Sequence, residues 1–294
     1  MEGLQRMLDS IKYIESHLEE SLSIEDIAAV ACMSKFHFQR MFSMLTGFSV
    51  SEYIRNRRIT VATQELIHSN CKVIDIAMKY RYESPEAFTK AFRRIHGISP
   101  SVAKKNSQFL KAYPKLSFQI QLKGDVEMDY KIVEKNCFTV VGKSIQTTTI
   151  GGENHREIAA FWDESNRNGF SRELAKNSGS LGLIGICMDF DKQQENLTYF
   201  IGAEKNIESL PAGWEERRIP SATWAVFPVH GAMPDAMPKV WEGIFSEWFP
   251  ATGYEHAGGP EMEVYLSDAD PSSADYYSEI WIPVKNKSLP ECAL

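Results

Sequence analysis

Apolar positions in the first hundred residues recur at helical spacing, and the whole pattern returns about fifty residues later. Ile24, Ile27, Ala28 and Ala31 lie at i, i+3, i+4 and i+7, one stripe on a short helix. Ser23 precedes that stripe as an N-cap, with Asp26 three residues on, and Cys32-Met33 supplies a tight turn before Ser34 caps a second helix. There Phe38, Met41, Phe42 and Leu45 face inward, Lys35, Phe36, Gln39, Arg40 and Ser43 face out, and Gly47 ends the helix. The second copy places Ile74, Ala77 and Met78 on its first helix. On its second, Phe88, Ala91, Phe92 and Ile95 point inward and Glu86, Thr89, Lys90 and Arg93 outward. Phe38/Phe88, Phe42/Phe92, Leu45/Ile95, Gly47/Gly97 and Ser49/Ser99 fall in register.

Helix, turn and helix, with an apolar back and a front of long hydrogen-bonding side chains, is what reading base edges in a major groove requires. A polar helix over Ser51–Ile67, carrying Arg55, Arg57 and Arg58, joins the copies. At about 25 Å it holds two reading heads at a spacing comparable with one turn of DNA, roughly 34 Å. Two heads in one chain grip a duplex twice without dimerising.

The run Ser-Lys-Phe-His-Phe-Gln-Arg-Met-Phe (34–42) and the segment Asp-Ile-Ala-Met-Lys-Tyr-Arg-Tyr-Glu-Ser (75–84) resemble the DNA-binding domain of AraC-type transcription regulators. The likeness is to the Rob/MarA-like subgroup and spans residues 4–106. It implies that Phe36, Gln39 and Arg40 enter the major groove. Phe36 stands where the subgroup usually has tryptophan, and Pro85 and Glu86 stand where it usually has glutamines. Proline in a first helical turn is harmless. Glu86 can only accept a hydrogen bond and repels phosphate, which leaves Lys90, Arg93 and Arg94 to hold backbone.

From Met128 the period changes. Phe138–Ile145, Leu181–Asp189, Leu197–Glu204, Thr223–His230, Glu261–Leu266 and Tyr276–Val284 read as strands, with helices over Asn154–Asn168 and Asp235–Trp248. The expected fold is multidomain: an all-α domain with two helix-turn-helix units, then an α+β domain of two β-α-β-β modules. These modules form one antiparallel sheet with helices on one face, leaving the other face open for a ligand. Alternation puts Tyr277, Glu279 and Trp281 opposite Ser278, Ile280 and Ile282, and Glu263 and Tyr265 opposite Met262, Val264 and Leu266. With the apolar sets on the helix side, the open face collects Glu263, Glu279, Tyr265, Tyr277 and Trp281, with Trp224 beside them. Carboxylates framed by aromatic rings suit a lipophilic cation. Parity alone equally describes a solvated sheet face whose glutamates blunt an edge. Glu-Val-Tyr-Leu (263–266) and Glu-Ile-Trp-Ile-Pro-Val (279–284) resemble the last two strands of the GyrI-like effector-binding domain, with Trp281 where tyrosine is more usual. That resemblance implies a small-molecule effector, with Glu279 as the carboxylate that binds a cation.

Charge separates the halves. The 294 residues carry a net charge of −7, but residues 1–123 hold about +6 and the remainder about −13. A basic module beside an acidic one fits a DNA binder tethered to something that leaves DNA alone. The chain divides as 1–106 for DNA binding, 107–126 as linker and 127–288 for the effector, with Leu116, Phe118, Ile120 and Leu122 alternating like a connecting strand. Five cysteines without a CxxC pair, and scattered histidines, point to reduced thiols and no metal. No phosphate loop or nucleophile elbow is present, so no catalytic residue and no cofactor are assigned. The start has no signal sequence and no apolar run reaches bilayer length, so a cytoplasmic regulator is expected, with double-stranded DNA, an effector and RNA polymerase as partners and no membrane. The competing readings of the second half are a hydrolase of reactive small molecules, through Glu263 and Glu279, and a protein-interaction module.

Overall fold

The computed structural model describes residues 2–105, 110–117, 128–176, 178–266 and 270–287. The chain divides into two compact units, one of residues 1–35 and 50–121, the other of residues 36–49 and 122–294. This differs from the sequence boundary, because the second helix of the first helix-turn-helix copy belongs to the β-rich half.

In the first unit, helix α1 (Glu2–Ser16) buries Met7, Ile11 and Ile14, one face at i, i+4 and i+7. Helix α2 (Ile24–Val30) starts at Ser23, whose hydroxyl accepts from the Asp26 N–H at 3.0 Å. The same hydroxyl donates to the Asp26 carboxylate at 2.7 Å. Helix α4 (Val50–His68) is the expected connector. Its Arg57 grips Glu15 through Nε and Nη2 at 2.7 and 2.8 Å, and Arg58 donates to the Leu18 and Glu20 carbonyls, so both arginines serve the fold. Helices α5 (Val73–Lys79), α6 (Pro85–His96) and α7 (Pro100–Lys105) close on α4. Phe88, Phe92, Ile95, Ile76, Ala77 and Tyr80 meet Ile59, Ala62 and Leu66 in one core. Ser84 caps α6 by accepting from the Ala87 N–H at 3.1 Å, Pro85 fills the first turn, and Gly97 ends the helix at φ 75.

The repeat survives in the backbone. Cys32 and Arg81, equivalent turn positions, both take left-handed φ values of 52 and 64, and Gly47 matches Gly97 at φ 74. Ser34 departs from its expected role, because its buried hydroxyl makes no hydrogen bond.

The second unit contains most of helix α3 (Lys35–Thr46) and a nine-stranded antiparallel sheet. Its strands are β1 (Lys131–Lys135), β2 (Phe138–Thr148), β3 (Leu183–Met188), β4 (Asn196–Glu204), β5 (Glu215–Ile219), β6 (Ala222–His230), β7 (Tyr254–His256), β8 (Glu261–Tyr265) and β9 (Tyr277–Asn286). The order is β1-β6-β9-β8-β3-β4-β2-β5, with β7 also on β9. Helix α8 (Glu153–Arg167) and helix α9 (Phe170–Lys176) cover one face, where Ile158, Phe161, Trp162, Phe170 and Leu174 meet Val141, Tyr199, Ile201 and Ala203. Helix α10 (Ala236–Gly243) runs into a π-turn (Ile244–Trp248) and a last turn, α11 (Phe249–Ala251), where the sequence pattern expects one helix to Trp248.

The opposite face is not open. Val140, Ile184, Ile186, Phe200, Trp224, Val226, Met262, Val264 and Trp281 form a continuous core there, joined by Ile219 and Val133 from the strands at the two ends of the sheet. End strands that contribute to one cluster require the sheet to curl around it. Strands β1 and β5 escape a hydrophobic-pattern reading for a plain reason. Their sequences, Lys-Ile-Val-Glu-Lys and Glu-Glu-Arg-Arg-Ile, are charged edge strands. The expected connecting strand over Leu116–Leu122 falls mostly outside the described residues. Among the described residues no helix is long and apolar enough to cross a membrane.

Phe92 is fully buried between Phe88 and His96. Phe92→Ala should therefore destabilise the first unit by about 3–5 kcal/mol, the range for emptying an aromatic site. Urea melts followed by helical circular dichroism measure it.

Candidate functional site

Strand β8 sets the site. Its register pairs Met262 with Trp281, Glu263 with Ile280 and Val264 with Glu279, and paired residues share a face. Met262 and Val264 therefore enter the curled core beside Trp281 and Glu279, while Glu261, Glu263 and Tyr265 lie on the helix side with Ile280. The expectation that Glu263 and Glu279 share one face is corrected by this register, which alternation within each strand cannot reveal. Two carboxylate sites result, one on each side of the sheet.

Glu279 is the more satisfied. It accepts from Lys131 Nζ at 2.8 Å, Tyr277 OH at 2.9 Å and Trp281 Nε1 at 2.8 Å. Burial works against its charge, yet these donors, led by Lys131, hold its carboxyl below the usual range. Trp224 stands edge-on to Trp281 at 6.1 Å, and its indole N–H is buried without a partner.

Glu263 has no such cation among the described residues. It accepts from Trp241 Nε1 of α10 at 3.0 Å and from Tyr265 OH at 2.9 Å. Burial pushes its carboxyl up, the charge of Glu261 adds to this, and the Trp241, Tyr265 and Tyr199 bonds only partly offset it. Trp162 of α8 donates to Tyr199 OH at 2.8 Å and meets the Tyr265 ring edge-on at 5.3 Å. Gly185, paired with Glu263, leaves the room that the Tyr199 hydroxyl fills, and a methyl there would overlap it. Trp162, Trp241, Tyr199 and Tyr265 thus frame a carboxylate whose charge is under-compensated. Trp162 and Trp241 are not among the expected site residues. They sit on the two helices, and a strand-parity reading does not reach them.

The two reading faces differ. On α6, Glu86, Lys90, Arg93 and Arg94 are exposed and Thr89 is half-buried. On α3, Lys35, Phe36 and Ser43 are half-buried, and Gln39 and Arg40 retain only 4% and 8% of their surface. Lys35 pairs with Glu25 at 2.7 Å. Gln39 Nε2 donates to the Lys192 carbonyl at 3.1 Å, and the Phe36 ring meets His256 at 4.8 Å. Arg40 donates through Nε and Nη2 to the two oxygens of Glu261 at 2.7 and 2.5 Å, with its guanidinium near the Phe190 and Phe245 rings, at 5.2 and 5.8 Å. His256 Nδ1 accepts from the Gly258 N–H at 3.0 Å, so Nε2 carries the proton and donates to Glu261 at 2.9 Å. Burial lowers the His256 pKa, so this bond comes from a neutral ring. Burial opposes the charge of Glu261, but Arg40 and His256 outweigh it and draw the carboxyl down to about 2. Glu261 is absent from the expected site, although it lies two residues from Glu263 and so on the same face.

Residues 131–284 match the family described as integron-associated effector binding protein. The chain belongs to that family. Residues 27–106 match the helix-turn-helix domain family, and here they form an AraC-type DNA-binding domain. Curated relatives align with this segment. The uncharacterized HTH-type transcriptional regulator YbfP of Bacillus subtilis (strain 168) is 46% identical over 91 residues, 31% of either chain. The HTH-type transcriptional activator AarP of Providencia stuartii is 46% identical over 90 residues, 31% of this chain and 67% of AarP. The chain thus spans about a third of the length of YbfP. Among solved structures it is similar to SAV2435 bound to tetraphenylphosphonium, at 24% identity over 54% of this chain and 94% of that one, with a TM-score of 0.48.

The buried cluster around Arg40 predicts acid lability. Burial holds His37 down to about 3 from its usual 6.5, so below pH 6.5 the unfolded chain takes up a proton that the folded one refuses. Glu261 has the depressed-acid signature, and its contribution is complete above 4.5 and lost as pH falls toward 2. That second contribution is roughly 3 kcal/mol. Melting temperature should begin to fall below about pH 6.5 and fall more steeply below 4.5, as calorimetry over a pH series would record.

Proposed function

We propose that the protein is a one-component transcription regulator that binds double-stranded DNA through its helix-turn-helix copies and senses a lipophilic cation at Glu263. Residues 1–106 supply DNA binding and residues 127–288 the sensor. RNA polymerase is then the machinery it acts through, in the cytoplasm.

One observation carries the effector reading. Glu263 is a carboxylate raised in pKa by burial, framed by four aromatic side chains and without a cationic partner among the described residues. A cation placed there regains Coulomb energy in a medium less polar than water and adds attraction to the ring faces. Glu279 is the weaker candidate, because Lys131 already neutralises it. The apolar ring edges favour a cation clothed in hydrocarbon over a hydrated metal ion.

Tetraphenylphosphonium, a lipophilic cation, should quench tryptophan emission, since Trp162 and Trp241 line the site. Glu263→Gln keeps the shape and removes the charge. It should weaken that cation by about 1–3 kcal/mol, the range for a charged hydrogen bond or partly desolvated pair, while hardly changing the binding of neutral triphenylphosphine oxide. Calorimetric titration of both ligands decides, and equal losses for the two would contradict the charge-based reading.

For DNA, the exposed Lys90 and Arg93 of α6 are placed to hold phosphates. Each alanine substitution should flatten the salt dependence of binding by about one unit, weakening all sequences alike. A salt series on matched and scrambled duplexes tests this.

A further inference from the structure

The two helix-turn-helix copies are built alike, yet only one shows its reading face. Equivalent turns, glycine stops and apolar positions make α3 and α6 the same device. The α6 face is exposed, while Gln39 and Arg40 on α3 are buried among residues of the sheet unit. With Nε and Nη2 both on Glu261 and only 8% of its surface left exposed, Arg40 cannot lay that edge of its fork on a base. We propose that the protein carries its own brake, in which Glu261 occupies the base-reading Arg40 and an effector bound at Glu263 releases it. The trigger rests on the effector reading above, whereas the brake stands without it.

Two physical links join the sites. Glu261 and Glu263 are i and i+2 on β8, on one face and about 7 Å apart along the strand. A cation at Glu263 therefore stands close to the carboxylate that holds Arg40, shares its attraction and repels the Arg40 charge. The second link is the helix that begins with α10. Its Trp241 donates to Glu263, and Phe245, one turn further on, lies 5.8 Å from the Arg40 guanidinium. The two rings are stacked at 6.1 Å with 19° between their planes. A cation that reaches Glu263 displaces the Trp241 indole, and displacing Trp241 carries Phe245 off Arg40. The π-turn at Ile244–Trp248, an irregularity of a kind frequent at functional sites, includes Phe245.

The test uses the full chain and a duplex of about two helical turns that the wild type selects from a random pool. Glu261→Gln should bind that duplex tighter, on the order of tenfold, with faster hydrogen exchange over residues 36–49. Phe245→Ala leaves every charge in place and should act in the same direction, more weakly, and it decides if Glu261→Gln does not fold. Tetraphenylphosphonium should raise the wild-type affinity for DNA and change that of Glu261→Gln little. Folded variants that bind DNA no tighter than wild type, with unchanged exchange, would overturn the brake. Quenching of tryptophan emission without any change in wild-type DNA affinity would overturn the coupling. Tighter variants in a protein that tetraphenylphosphonium neither quenches nor shifts would support the brake and overturn the effector reading instead.

Discussion

Side-chain alternation along five residues of β8 decides what the second unit can do. Because successive residues point to opposite faces, Met262 and Val264 go to the curled core while Glu261, Glu263 and Tyr265 go to the helices. A buried carboxylate, Glu261, and a half-buried one, Glu263, therefore stand side by side on the helix face with different partners. Glu261 has Arg40 and His256, is strongly acidic, and holds the α3 segment. Among the described residues Glu263 has only uncharged donors, and it keeps a pKa raised by burial. One is a satisfied ion pair and the other an unfilled demand for positive charge.

The energetics of such a pair favour switching over bulk stability. Burying Arg40 and Glu261 together gains little beyond what well-packed apolar residues would supply, since both ions lose their water. Removing one partner, however, leaves the other charge stranded. A contact that is costly to break from one side but modest in net worth is easily re-weighted by a third charge nearby. Glu279, on the opposite face, shows the alternative outcome, in which Lys131 satisfies the carboxylate within the fold.

Much of this is legible in the sequence. The repeat, its cap at Ser23 and its glycine stops follow from local spacing, and the structure keeps them, whereas Ser34 does not cap its helix. Six strands and two helices of the second half follow from period alone. What does not follow is anything set by register or by long-range packing. Alternation puts Glu263 with Glu279, but alternation is blind to which residues pair across strands. Strands β1 and β5 escape it because their residues are mostly charged, and the curl that closes the second face is a property of the whole sheet. Arg40 has the local environment of a base contact on a recognition helix. Its partner lies 221 residues away in sequence, and no local pattern announces it.

Linkage supplies the sharpest experiment. If effector binding at Glu263 frees Arg40, then DNA that engages Arg40 must in return favour the effector, by the same factor. Calorimetric titration of tetraphenylphosphonium into the full chain, alone and saturated with a selected duplex, measures this. Binding should be tighter in the presence of DNA, by roughly 5–150-fold, the usual span of coupling between sites. Equal or weaker binding to the DNA complex would contradict a brake released from Glu263.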